Sequence, residues 1–162
     1  MPDGPVVCNA GPLIALSMVG QLDLLKQLYR RVIVPEPVFR EVVAGGLDRA
    51  GASQIASAEW LERADPAIPE PLLALELGPG EAAVLATGHL LRAQLVLIDE
   101  RRARRIAEQA YGLRVKGSAG ILVAAKRAGL ISAVIPHLDQ MVRQGYYLSR
   151  RLIERAAAEA GE

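Results

Sequence analysis

Short apolar runs that alternate with helix-forming segments constrain this chain most. The stretches "VVC" (residues 6–8), "RVIVP" (31–35), "QLVLID" (94–99) and "LRVKG" (113–117) are too short for stable helices and read as strands. The segments between them carry helical spacing. "QLDLLKQLY" repeats Leu22, Leu25 and Leu28 three apart, and "ERRARRIAEQAYG" is amphipathic and ends at Gly112. Pro12 and Pro37 open helices, because a proline's missing N–H is not needed in a first turn. "GASQIASAEWLERAD" predicts a helix followed by a short extended piece, with Trp60 in the core. "GEAAVLATGHLLRA" predicts a strongly apolar helix, and "SAGILVAAKRAG" another, stopped by Gly129. Residues 66–80 are rich in Pro and Gly and form the least regular region. Beyond Gly129 the chain reads as helical, with breaks at Pro136 and Gly145. Strands alternating with helices predict a three-layer α/β fold, a central parallel sheet of about four to five short strands flanked by helices. Residues 1–162 read as a single domain without a linker, and the C-terminal helix, about residues 149–160, as a packing or interface element.

Composition agrees with this frame. Hydrophobic residues make up 51% of the chain and aromatics only 4%, so the core is built from Leu, Val, Ile and Ala. Such a core suits helices on a buried parallel sheet. The net charge of +1 points to no partner by itself. Cys8, the one cysteine, excludes an intrachain disulfide and fits a cytoplasmic protein; its apolar neighbours predict a buried thiol. One Cys with two scattered His offers no zinc spacing. No apolar run reaches the ~18 residues of a membrane span, and "MPDGPVV" lacks the basic start of a secretory signal.

Open parallel sheets bind ligands beyond the carboxyl ends of their strands. Asn9 follows the first strand, and Asp99 and Glu100 follow the third. Glu41 sits one turn into the helix after the second, with Glu36 as a nearby competitor. Glu81 heads a helix that has no other ionisable side chain from Ala82 to Gly88, so its carboxylate is desolvated unless paired or bound to a metal. Each residue has a second reading. Asn9 suits a turn, Glu81 complements a helix dipole, and Asp99 suits a helix N-cap.

The blocks "VVCNAGPLIALSMVGQLDLL", "VIVPEPVFREVV", "LGPGEAAVLA", "LVLIDERRARRIAE", "GLRVKGSAGILVAAKRAGLI" and "GYYLS" together resemble the PIN domain family. Within it they are similar to the subgroup related to VapC-type toxins that opens with a strand and an Asn-x-x-Pro-Leu turn. The resemblance implies a PIN-like fold and a nuclease that holds Mg²⁺ or Mn²⁺ on clustered acidic residues. The family's four acidic positions fall on Asn9, Glu41, Glu81 and Asp99, with Glu100 adjacent. Glu41, Glu81 and Asp99 are thus the implied catalytic residues, and Asn9, Glu41, Glu81, Asp99 and Glu100 the implied metal ligands. Hard dications prefer such oxygen donors; they acidify water and offset charge on a phosphate. The amide at Asn9 keeps an oxygen there without its charge, which weakens the expected metal affinity by about one to two orders of magnitude. The resemblance further implies RNA hydrolysis to a 5′-phosphate and a 3′-hydroxyl, a small antitoxin as partner, and a homodimer.

Arg101, Arg102, Arg104 and Arg105 directly follow the acidic pair, and Arg114 and Lys116 lie on the next strand. Arg101, Arg102, Arg105 and Lys116 are the candidate RNA contacts; a solvated helix face partly paired with Glu108 is the plainer reading. "GSAG" lacks the Lys-Ser/Thr of a phosphate loop, and His89 and His137 read as surface or half-buried. Two functions follow. One is a metal-dependent endoribonuclease, the toxin of a toxin–antitoxin pair. The other is a catalytically weak PIN-like module that binds RNA or protein. A small-molecule-binding α/β protein is a third.

Overall fold

A computed structural model describes residues 4–46, 49, 51–65 and 71–162. Its elements run β1 (Val6–Cys8), α1 (Ala10–Met18), α2 (Leu24–Leu28), β2 (Val32–Pro35), α3 (Glu36–Val43), α4 (Ala52–Ser57) and β3 (Leu61–Ala64). They continue with α5 (Pro71–Glu76), α6 (Pro79–Leu90), β4 (Leu95–Leu97), α7 (Arg101–Tyr111), β5 (Val115–Lys116), α8 (Ser118–Arg127), α9 (Ile135–Arg143) and α10 (Arg150–Ala160). The strands form one five-stranded sheet in the order β3-β2-β1-β4-β5, and every pairing is parallel. Helices flank the sheet in a three-layer α/β fold.

Burial explains the strand sequences. β1, β2 and β4 are buried throughout and consist almost wholly of Val, Ile and Leu, as interior strands covered on both faces must. The edge strands differ. β3 exposes Glu62 and Arg63, and β5 is only half-buried. Charge on an edge discourages pairing with a second sheet. Here it is also anchored: Arg31 binds Glu62 at 2.9 and 3.1 Å, and Arg63 binds Glu36 at 2.6 and 2.9 Å. The Arg63 guanidinium also stacks on the Phe39 ring at 3.8 Å.

The strand order creates a switch point. From β1 the chain moves to β2 and β3 on one side, then returns to lay β4 and β5 on the other. The crevice beyond the ends of β1 and β4 is where such sheets take ligands. The Asn9 N–H donates to the Leu97 carbonyl at 2.9 Å, so the chain leaves both strands side by side. α6 packs against β1, β2 and β4, which brings its first turn to this crevice. α10 packs on α8 and α9. Glu162 accepts N–H bonds from Val134 and Ile135 at 2.7 and 3.1 Å and pairs with Lys126 at 3.0 Å, tying the helix end to the start of α9.

Several sequence expectations change in detail. Pro12 is the third residue of α1 and Pro136 the second of α9; both lie where helix N–H groups lack intrahelical partners, so neither breaks its helix. α2 is shorter than the Leu spacing predicts, and Pro71–Glu76 forms a helix inside the region expected to be irregular; residues 66–70 lie outside the described residues. Trp60 packs against the core but is only partly buried. Cys8 is fully buried. Among the described residues no helix is long and apolar enough to cross a membrane.

Candidate nuclease centre

The oxygen-bearing side chains at the switch point form two adjoining groups. The first surrounds Gly80. A Cβ added there would lie 2.7 Å from Glu41 Oε2 and 3.7 Å from Asn9 Oδ1, so these two side chains converge on the bare face of the first turn of α6. Asn9 occupies the N-cap position of α1 but makes no capping hydrogen bond. Its Oδ1 is buried without a partner. The turn-forming reading of this residue therefore has no side-chain bond behind it. Glu81 stands beside Gly80 on α6, with its Oε2 also buried and unpartnered. Burial pushes its carboxyl above the usual range, and the neighbouring Glu100 and Glu41 charges push the same way, partly offset by Arg102. Glu100 caps α7, accepting the N–H groups of Arg102 and Ala103 at 3.0 and 2.7 Å. Desolvation raises its carboxyl, but those bonds together with the Glu81 side chain and the Arg102 charge hold it low. Of the two facing acids, Glu81 therefore carries the proton first.

The second group surrounds Asp99. Glu100 takes the capping place that an Asp before a helix normally fills, so Asp99 turns across to α8. Its Oδ1 accepts the Ser118 N–H at 2.6 Å, and its Oδ2 accepts the Ser118 hydroxyl at 2.6 Å and the Tyr146 hydroxyl. Tyr146 is half-buried; desolvation and the Asp99 charge push its phenol well above the ordinary value. Gly11 and Gly117 make this approach feasible. A Cβ at Gly11 would lie 2.8 Å from the Tyr146 hydroxyl, and one at Gly117 would lie 2.7 Å from Asp99 Oδ1.

The structure thus gathers Asn9 and Glu41 at Gly80, sets Glu81 against Glu100 next to them, and holds Asp99 on Ser118 and Tyr146. Among the described residues, no three Asp, Glu, His or Cys side chains stand together as a ready metal cage. The donor set nonetheless fits a hard dication. Two buried oxygens lack hydrogen-bond partners, each at a desolvation cost of about 1–3 kcal/mol, and a carboxylate adjoins them. Glu36 is removed from consideration by its bidentate pairing with Arg63.

Arg101, Arg102 and Arg105 are exposed on α7, and Arg102 lies 3.7 Å from Glu76. Lys116 is separated from them in character. It is half-buried in a cleft with Arg104 and Arg155. His89 is exposed, with its ring edge-on to Tyr111, and His137 is half-buried. Sequence reasoning missed Ser118, Tyr146 and Arg155. Ser118 had a signal in the Gly-Ser pair at a strand-to-helix junction and Tyr146 one in the GYYLS block; Arg155 had none, since long-range packing alone brings it in.

A parallel α/β sheet with acidic and amide oxygens at its switch point defines an acid-centred α/β protein. A family model described as DUF3368, a PIN domain, matches residues 5–162, and the chain belongs to that family. No curated protein matches it. PIN domains are in general nucleases and typically use divalent metals, so the chain carries a nuclease fold.

Proposed function

We propose that this protein is a metal-dependent endoribonuclease of the VapC-like PIN subgroup, with Asn9 in place of the first acidic residue. The observation that carries the reading is the unpartnered buried oxygen of Asn9, aimed with Glu41 at the bare face of Gly80 beside Glu81. Asn9, Glu41 and Glu81 would hold Mg²⁺ or Mn²⁺, with Asp99 and Glu100 completing the centre. A bound dication supplies charge stabilisation for the phosphate and a more acidic water. The chain's own residues do the rest. Glu100, fixed by two backbone N–H groups, sets a second carboxylate beside Glu81 at the crevice. Ser118 and Tyr146 hold Asp99 to one orientation.

The test is cleavage of structured and single-stranded RNA with Mn²⁺ by the wild type and by the double variant E81Q/D99N. Loss of cleavage in the variant is expected, and equal behaviour of the two proteins sinks the enzyme reading. A toxin role, a small antitoxin partner and a homodimer belong to the same proposal. Growth arrest on expression, relieved by a neighbouring small gene, and solution mass check them.

A second reading has its own support. Asn9 brings no charge, and both oxygens of Asp99 already accept hydrogen bonds. A weakened PIN domain that binds RNA or protein would keep its binding in E81Q/D99N.

A further inference from the structure

A cleft of about 210 Å³ lies where the end of β5 and the first turn of α8 meet α10. That is several times the ~30 Å³ share of one water molecule. Three cations line it: Arg104 from α7, Lys116 from β5 and Arg155 from α10. Ion pairs among the described residues engage Arg31, Arg63, Arg102, Lys126 and Arg150, and leave these three out. The cleft has two carboxylates, Asp99 and Glu159, but the oxygens of Asp99 are already taken by Ser118 and Tyr146. Two glycines shape the cleft. A Cβ at Gly120 would lie 2.7 Å from Lys116 Cγ, so the bare helix lets the lysine stem lie across α8. A Cβ at Gly117 would lie 2.8 Å from Arg104 Nη1. Desolvation, and repulsion from Arg114 and Arg127, hold the Lys116 ammonium below its usual value, with Glu159 a partial offset; a bound anion would add to that offset.

We propose that this cleft is a phosphate subsite: Arg104, Lys116 and Arg155 hold an RNA backbone phosphate next to the one at the acidic centre. The inference rests on the ribonuclease reading and adds the path of the bound strand, from the Gly80 face past Asp99 towards α10. Asp99 forms a wall of the cleft, so a ligand occupying both places must carry two anionic groups on a linker that passes Asp99. A phosphodiester answers that description.

The probe is a fluorescein-labelled 2′-O-methyl oligouridylate, which resists cleavage, followed by anisotropy in a KCl series without divalent metal. Each phosphate neutralised on a single strand contributes about 0.7 to the slope of log K against log salt. K116Q/R155Q is expected to lower the slope by about that amount and to weaken binding at low salt. The charge-conserving K116R/R155K is expected to restore it. Thermal melts of each variant establish that the fold is intact. A wild-type slope in K116Q/R155Q overturns the subsite, even where the wild type cleaves RNA with Mn²⁺. So does displacement of the probe by polyglutamate at equal charge concentration as readily as by unlabelled oligouridylate. A wild type that cuts nothing, with a slope that still falls in K116Q/R155Q, overturns the enzyme reading and supports the subsite.

Discussion

In the proposed metal centre, Asn9 and Gly80 are expected to set how strongly a cation is held. A unit charge about 4 Å from another is worth ~4 kcal/mol at an effective dielectric near 20, and desolvation returns much of that. N9D is therefore expected to tighten Mn²⁺ binding by about one order of magnitude, measured by calorimetry. Unchanged affinity would place position 9 away from the ion. G80A separates function from stability at a neighbouring atom. Its methyl would meet Glu41 Oε2 at 2.7 Å, the far end of an exposed, flexible side chain that can swing away. Melting is expected to be unchanged or raised, since Ala exceeds Gly in a helix by up to about 1 kcal/mol, while Mn²⁺ affinity falls. Asn9 and Asp99 could be located in the sequence because each follows a strand end, Glu81 because it stands in a first helical turn, and Glu41 because it lies one turn into the helix after β2. What they bond to was not legible. Which acid caps α7 depends on one residue of register, and that single step frees Asp99 to reach Ser118 and Tyr146.

Among the elements, the tie between Glu162 and the start of α9 offers a pH prediction. N–H bonds from Val134 and Ile135 exceed the cost of desolvation and, with Lys126, hold the Glu162 carboxyl down at about 2 against a usual 4.5. A carboxyl depressed in the folded state contributes stability above its unfolded value and loses it as pH falls through the folded one. Wild-type stability is thus expected to decline between about pH 4.5 and 2 for this reason, and E162Q to be flatter across that window, as followed by denaturant melts. A parallel loss in both proteins would show that the tie contributes nothing. Strands β1, β2 and β4 and the helices closed by Gly112 and Gly129 could be read directly, because apolar runs and glycine stops are local signals. α5 could not. Prolines around it mask a helix that tertiary packing against α6 supports.

At the scale of the whole molecule, a ligand that binds only the folded state raises the melting temperature. Mn²⁺ at about a hundredfold its Kd is expected to stabilise the protein by about 2.7 kcal/mol, reversed by EDTA and much reduced in E81Q. Equal melting with and without Mn²⁺, at concentrations that support cleavage, would remove the ion from the Glu41–Glu81 crevice. In the absence of metal, E81Q is expected to melt higher than wild type near neutral pH. It removes a desolvated acid that faces Glu100 and Glu41.

The central place of β1 has one more outcome. Its two neighbours come from opposite halves of the chain: Val6 lies beside Val32 on one flank and Leu95 on the other. During synthesis Asn9 and Glu41 are laid down long before Asp99 exists, and the second flank of β1 stays unpaired until β4 docks. On the proposed function, a nascent or truncated product ending before β4 is expected to cleave no RNA.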